Sequence, residues 1–486
     1  MSKPRIDFHE LFNYKRIYDS VHGTIGLSET ELKILDCRAF QRLRNIKQLG
    51  LAHLAFPEAD YSRFSHSIGV CHITGLFLES LYKNGFKLSK RNIKRYRLAG
   101  LLHDIGHYPF SHTMEHAVQK YNKKIDDQEK TPKILKTTGA PTPKADMKIE
   151  FLKHEDVGKE ILMNDEEIKK VLKSGGFKPK DIYPIFTGTD KNPIPCLISS
   201  DIDADRIDYL LRTSYATKLP YGSVDLPYIL SQIRLDKNNR ICFTEKALRP
   251  LDHFLLSRYF DYQRVAYNKT TVALDKFLQS LIIKLIDDGK INLSKKEIKN
   301  KLGKDSWYKF DDSYILSLIK NIIDNSHDII LKSQAQSVLE RKPPTLLINI
   351  EFIGNRYEEE ENRIHKSSTI LNAKIDKWSS KYQIDSGMWL FWEPDIERPI
   401  ALTKTGTKSE QDEEKDILKN ILILDSNKEI AEPIYSKENS LMSSLADKRL
   451  YCLRLYAFLG NKTDDEKKNM KEEIYNEYLE EFNKLP

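Results

Sequence analysis

Leu98-Ala-Gly-Leu-Leu-His-Asp-Ile-Gly-His-Tyr-Pro-Phe-Ser-His112 decides how the chain reads. Leu98, Leu101, Leu102 and Ile105 recur at i, i+3, i+4 and i+7, which is one face of a helix predicted over Arg91–Ile105. That face anchors in a core while His103 and Asp104 point elsewhere. Gly106 ends the pattern and Pro109 blocks its continuation. Ser111 is then placed to cap a new helix over Ser111–Tyr121. An imidazole and a carboxylate on one rigid element suit a transition metal with mixed N/O ligands. A surface pair or a hydrogen-bonded core histidine is the plainer alternative, so further ligands must come from elsewhere.

Two segments offer them. Arg63-Phe-Ser-His-Ser-Ile-Gly69 opens an amphipathic helix predicted over Phe64–Lys83, with Arg63 and His66 three residues apart and turned to one pocket. Ser199-Ser-Asp-Ile-Asp-Ala-Asp-Arg-Ile-Asp-Tyr-Leu-Leu-Arg212 lies in a helix predicted over Ile198–Ala216. Asp201, Asp205, Asp208 and Arg212 share a stripe there, with Ile207, Leu210 and Leu211 opposite. Carboxylates on a core-bound helix are costly to bury unless a cation or an arginine partners them. A solvated acidic face is the alternative. Together the segments give His66, His103, Asp104 and Asp205 as a ligand set for a divalent ion (Mn, Mg, Fe or Zn). Four ligands leave positions on a six-coordinate ion for water and substrate.

The surrounding chain limits the setting. Its 486 residues, 40% hydrophobic and 31% charged, fit a soluble globular protein. No apolar run is long enough to span a bilayer, and Met1–Asp7 has no apolar core of a signal peptide. Five cysteines without C-x-x-C spacing read as reduced thiols of a cytoplasmic protein. The net charge of +7 suits polyanions or simply lysine-rich solvated faces.

Residues 1–30 read as irregular around a turn at Tyr18–Gly23, followed by helices over Glu31–Leu35 and Ala39–Leu49. Polar residues 122–148 read as a mobile insertion, and helix resumes from His154 to Lys173. Ile233–Phe243 reads as a β-hairpin around Lys237–Arg240, and Ala247–Asp288 as helical again. Beyond about residue 340, Thr345–Ile353, Met388–Trp392 and Ile400–Thr403 look like strands, and Lys404–Lys415 like a polar loop. Leu450–Leu459 and Lys467–Phe482 read as terminal helices. The expectation is a mainly α protein: a helical core with a β-hairpin over 1–335, then a smaller α+β part over 336–486 that carries no chemical motif.

His66, His103-Asp104 and Asp205 on separate helices resemble the HD-domain superfamily of metal-dependent phosphohydrolases. Phe40-Gln-Arg-Leu-Arg-Asn-Ile-Lys-Gln-Leu-Gly50, Phe56-Pro57, Arg63–Gly69, His103–His112 and Asp203-Ala-Asp-Arg-Ile-Asp-Tyr209 resemble its deoxynucleoside triphosphate triphosphohydrolase branch. That branch includes the dGTPase-like and vertebrate sterile-alpha-motif HD enzymes, and the match runs in order over about residues 15–275. The resemblance implies an HD-domain helical core and hydrolysis of a dNTP to deoxynucleoside and inorganic triphosphate. It places His112 with Glu115 as a general acid and its orienting carboxylate, and His107 and His154 as further active-site histidines. Arg63 and Arg206 would meet phosphates, Tyr209 a phosphate or the sugar, and Lys269 is another candidate cation. Gln48 and Leu49 match positions that contact the deoxyribose and crowd a 2′-OH. The resemblance also implies a homo-oligomer with a regulatory nucleotide at its subunit contacts.

Three positions depart from the family pattern. Thr213 replaces an acidic residue that helps hold the sugar 3′-OH, Val265-Ala-Tyr-Asn-Lys-Thr270 carries Ala266 and Asn268 at altered positions, and Lys218 stands where glycine is common. They keep two other readings open. One is a phosphodiesterase or phosphatase of the same metal chemistry acting on another nucleotide. The other is a nucleotide or weak single-stranded nucleic-acid binder.

Overall fold

The computed structural model describes residues 6–130, 148–190, 194–198, 200–304, 306–355, 358–394, 398–399, 420–460 and 462–484. Its first part is helical, as expected. Helix α1, Arg63–Lys83, starts where the Ser62 hydroxyl accepts the Ser65 N–H. It is buried over most of its circumference, through Phe64, Ile68, Val70, Ile73, Phe77 and Leu81, with His72, Leu76 and Glu79 half-buried along one side. The polar face is therefore narrower than predicted; α1 is the central helix, and a largely apolar helix belongs inside. Helix α2, Lys90–Leu102, packs along it.

Helix α2 stops three residues short of the predicted end. His103 is its C-cap, and residues 103–106 turn with Ile105 N–H donating to Leu102 O and His107 N–H to Asp104 O. Ile105 is still fully buried, so the apolar spacing marked the core although the helix had ended. Helix α3, His112–Lys130, begins directly after Ser111, whose carbonyl accepts the Glu115 N–H. Ser111 Oγ accepts Arg63 Nε at 2.6 Å. The first residues of the expected insertion continue α3, because Ile125 is buried and Asn122 exchanges two hydrogen bonds with the Ile149 backbone. Residues 131–147 of that insertion lie outside the described residues.

The predicted helix from His154 to Lys173 is two helices, α4 (His154–Asn164) and α5 (Glu166–Ser174), divided at Asp165, which caps the second. Helix α6 is Ala204–Thr217, later than predicted because the Asp203 carboxylate caps it at the Arg206 N–H. Ala39–Leu49 is not one helix but Arg38–Gln41 and a 3-10 turn, Arg42–Asn45. Helix α7, Leu248–Asp261, runs through a π-turn toward α8, Lys269–Asp287, which Asn268 caps. Helix α9 is Asp312–Asn325.

Residues 1–30 are not irregular throughout: β1 (Lys15–Asp19) and β2 (Gly23–Leu27) form an antiparallel hairpin. The predicted hairpin is β3 (Ile233–Leu235) and β4 (Ile241–Thr244). From beyond residue 336, β8 (Leu422–Leu424) adds in parallel to β4, and β9 (Glu432–Pro433) adds to β8. A second sheet has the order β5-β10-β6 and contains Thr345–Asn355, Lys448–Ala457 and Trp389–Trp392, with β7 (Arg398–Pro399) also pairing β10.

Leu450–Leu459 is therefore a central strand and not the predicted helix. Leu450, Cys452 and Tyr456 face the main core, while Leu453, Leu455 and Ala457 face a second core. That second core is completed by α10 (Glu358–Tyr382) and α11 (Asp464–Lys484) through Trp378, Ile474 and Tyr478. A strand buried on both faces reads as an unbroken apolar run, in which periodicity gives no sign of its type. Ile400–Thr403 and Lys404–Lys415 lie outside the described residues. Cys37, Cys71, Cys242 and Cys452 are buried free thiols. Among the described residues no helix is long and apolar enough to cross a membrane.

Candidate active site

Helices α1, α2 and α6 bring four distant side chains together. Gly69 lets α6 approach α1, because a Cβ there would lie within bonding range of the Asp208 carboxylate. His66 Nε2 lies 3.0 Å from Asp205 Oδ1 and 3.6 Å from Asp104 Oδ2. His103 Nε2 lies 3.2 Å from Asp104 Oδ1 and 3.9 Å from Asp205 Oδ1. Both Nε2 atoms are buried and make no hydrogen bond. The opposite ring nitrogens are engaged: His66 Nδ1 with Asp208 Oδ2 at 2.7 Å, and His103 Nδ1 with Gly100 O at 2.8 Å. A carbonyl or carboxylate on Nδ1 fixes the proton there and aims the Nε2 lone pair into the cluster. Two imidazole lone pairs facing two carboxylates suit a divalent cation.

The charges agree with that reading. Burial opposes protonation of His66, yet the neighbouring Asp205 and Asp208 carboxylates lift it to about 9. A cation in the cluster competes with that proton. Burial also works against the Asp104 charge, but Arg63 and His103 outweigh it and hold the carboxyl well below its usual range. Asp205, similarly opposed by burial, is drawn down to about 2 by His66.

Asp208 was visible in the sequence only as a member of the stripe. It is fully buried and accepts His66 Nδ1, His22 Nε2 at 2.6 Å and Arg212 Nε at 2.7 Å. Arg212 in turn lies 2.9 Å from Asp19. His22 and Asp19 were missed; their only signal was the polar turn Tyr18–Gly23, which the β1–β2 hairpin carries to the back of the cluster.

On the other side, His107 Nε2 lies 3.2 Å from Asp104 Oδ1, and its ring stacks on His154 at 3.7 Å. Glu115 Oε1 accepts His154 Nδ1 at 2.9 Å and Oε2 accepts His112 Nδ1 at 2.8 Å. His112 is 62% exposed at its side chain, unlike the rest of this row. Burial disfavours the Glu115 charge, but the His112 and His154 hydrogen bonds prevail and hold it far below the carboxylate range. Asp104, His107 and His154 form a second group whose donor atoms lie close enough to share a cation.

The turn before His112 is braced from outside. Phe110 and Ser111 both have left-handed φ, at 55° and 52°. Asp312, at the start of α9, accepts the Phe110 N–H at 2.7 Å and the Lys47 N–H at 3.0 Å. Buried Arg42 donates to His107 O and Phe310 O, both at 2.6 Å. Backbone strain of this kind concentrates at functional sites.

The expected substrate residues divide. Arg63 is buried and bound to Asp104 and Ser111, so its charge is directed to the cluster. Arg206 pairs with Asp203 at 2.8 Å. The Tyr209 hydroxyl and Gln48 Oε1 are buried without a partner, and Leu49 is half-buried. Lys269 is exposed at the start of α8 and makes no described contact with the cluster. Thr213 bonds the Tyr61 hydroxyl at 2.9 Å. Lys218 ends α6 at φ 56°, a conformation that favours glycine.

A mainly α protein whose helices gather a His, a His-Asp pair and an Asp belongs to a recognisable class. The HD domain profile matches residues 63–212. The Mycoplasma genitalium protein MG461 is 31% identical over 373 residues, 71% of this chain and 80% of that protein. The deoxynucleoside triphosphate triphosphohydrolase SAMHD1 homolog of Dictyostelium discoideum is 28% identical over 273 residues, 55% of this chain and 49% of that protein. A phosphohydrolase structure from Bacteroides thetaiotaomicron superposes with a TM-score of 0.66 at 20% identity, covering 91% of this chain and 99% of the other. The chain belongs to the HD-domain superfamily and is similar to its dNTP triphosphohydrolases.

Proposed function

We propose that the protein is a metal-dependent hydrolase that converts deoxynucleoside triphosphates to deoxynucleoside and inorganic triphosphate. The observation that carries the proposal is the pair of buried, unpartnered imidazole nitrogens facing two carboxylates, beside an exposed His112 backed by Glu115. His66, His103, Asp104 and Asp205 would hold the divalent ion. When bound, that ion lowers the pKa of water and polarises a phosphoryl oxygen. His112 gives its proton to the departing 5′-oxygen as the bond from that oxygen to the α-phosphorus breaks. Glu115 orients His112, while His107 and His154 keep the row of rings fixed. The water oxygen leaves on the triphosphate.

Arg206, Tyr209, Gln48 and Leu49 lie along the substrate path in this reading. Arg63 acts on phosphate only if it releases Asp104, and Lys269 only if the substrate reaches the start of α8. The SAMHD1 likeness supports a nucleotide substrate; the homo-oligomer with a regulatory nucleotide rests on the family resemblance alone, and the cytoplasmic setting on the cysteine usage.

Incubation with each dNTP and Mn²⁺ or Mg²⁺, followed by anion-exchange chromatography, is expected to yield triphosphate. Monophosphate with pyrophosphate would place the cleaved bond elsewhere. Thr213, bound to Tyr61, and Asn268, used as a helix cap, favour a second reading in which the same centre acts on a different nucleotide. Inert dNTPs with turnover of another nucleotide in a substrate panel would decide for it.

A further inference from the structure

The side of α1 away from the metal cluster forms a wall of a cleft of about 390 Å³, closed by the β1–β2 hairpin and the residues before it. Arg97 of α2 reaches its lining although only 3% exposed. Its Nε and Nη2 are taken by Glu31 at 2.8 and 3.2 Å and by Gly26 O at 2.9 Å, and its plane covers the Phe12 ring at 3.8 Å. Nη1 has no such bond. It lies over Gly75, where a Cβ would come within 2.6 Å of it. A glycine inside a helix costs about 1 kcal/mol against alanine, and here it leaves the remaining guanidinium donor uncovered.

Arg16 and His72 add further polar groups beside the apolar Phe8, Phe12 and Leu76. Arg16 is exposed; it uses Nε on Asn13 and Nη2 on His9 and keeps Nη1. His72 makes no described hydrogen bond, and its ring lies 5.5 Å from that of His22. Glu79 is the one carboxylate in the lining, and Lys83 draws it aside at 2.7 Å. Spare guanidinium donors, an unused imidazole and no free carboxylate match an oxyanion.

The cleft also connects to the candidate metal centre. His72 packs against His22, His22 Nε2 bonds Asp208 at 2.6 Å, and Asp208 bonds His66 Nδ1 at 2.7 Å. We propose that the cleft is a second ligand site, for a small molecule bearing a phosphate or carboxylate group, and that its occupancy is coupled to cation affinity at His66. Coupling of this kind is reciprocal: whatever the oxyanion does to cation affinity, the cation does to oxyanion affinity. The site does not depend on dNTP hydrolysis.

Titration calorimetry of the full chain with orthophosphate, tripolyphosphate and citrate tests the proposal. Binding of a phosphate compound or of citrate is expected, and the comparison says which oxyanion the cleft takes. Arg16→Glu, an exposed change, is expected to weaken binding by roughly tenfold or more. Gly75→Ala should do the same by covering Arg97 Nη1. His66→Ala should leave oxyanion binding in place, which separates this cleft from the metal centre. The Mn²⁺ affinity of the parent should shift by roughly fivefold or more when the oxyanion saturates, and His72→Ala should abolish that shift. Binding untouched by Arg16→Glu and Gly75→Ala, or lost in His66→Ala, overturns the site. An unchanged Mn²⁺ affinity overturns the coupling.

Discussion

Asp208 fixes which nitrogen of His66 faces the carboxylate cluster, and His22 and Arg212 hold it there. Asp208→Asn is expected to lower Mn²⁺ affinity by about 10–100-fold, the usual effect of removing a partner that orients a metal-bound imidazole; a Mn²⁺ titration reads it, and an unchanged affinity contradicts the orientation. His112 makes the complementary case. It is exposed and outside the ligand set, so His112→Gln should retain metal while turnover falls by about 10²–10⁴-fold. Metal analysis beside steady-state kinetics separates the two effects. The four candidate ligands were legible in the sequence because their residue types stand in short, unusual segments. The role of Asp208 was not, since His22 lies 186 positions away and no local pattern reports a pairing made by folding.

Elements divide between those decided locally and those decided by packing. Helix α1 was legible from the helical spacing of its apolar residues, and the β3–β4 hairpin from the turn residues between its strands. The end of α2 was not, because apolar spacing continues through Ile105 after the backbone has turned. Strand β10 was read as a helix because both of its faces are buried, by cores that only the folded chain supplies. The α9 brace belongs to this scale. Asp312→Asn replaces one acceptor by a donor opposite an amide, so the turn before His112 loosens; turnover is expected to fall about tenfold with metal content unchanged. Burial also lifts the Asp312 carboxyl to about 6, while the Lys47 and Phe110 amides and Arg42 pull it down. The folded state thus holds this proton more tightly than the unfolded chain, and the group's contribution to stability falls as pH rises from about 4 to about 6. Asp203, Asp261 and Asp275 are raised by burial as well, so urea melts over that range should show a shallower fall in Asp312→Asn than in the parent.

At the scale of the whole molecule, residues on either side of position 335 are knitted together. Strand β8 pairs with β4, Trp392 meets Tyr267 at 5.2 Å, and Arg454 donates to Tyr267 O at 2.6 Å. A chain ending at Glu340 would expose those apolar surfaces, and it is expected to aggregate or to lose the cooperative thermal transition of the full chain. A soluble, cooperatively folding fragment would contradict this. Composition could not reveal the coupling, because a strand borrowed from 180 residues downstream leaves no local mark. In the proposed enzyme His66, His103, Asp104 and Asp205 share one cation that the hydrolysis requires. Metal content and dNTP turnover measured on the same dialysed samples of parent and His66→Ala put this to the test. Bound metal and triphosphate release in the parent, with both lost in the variant, is the predicted result; a variant that keeps its metal and its turnover would contradict the claim.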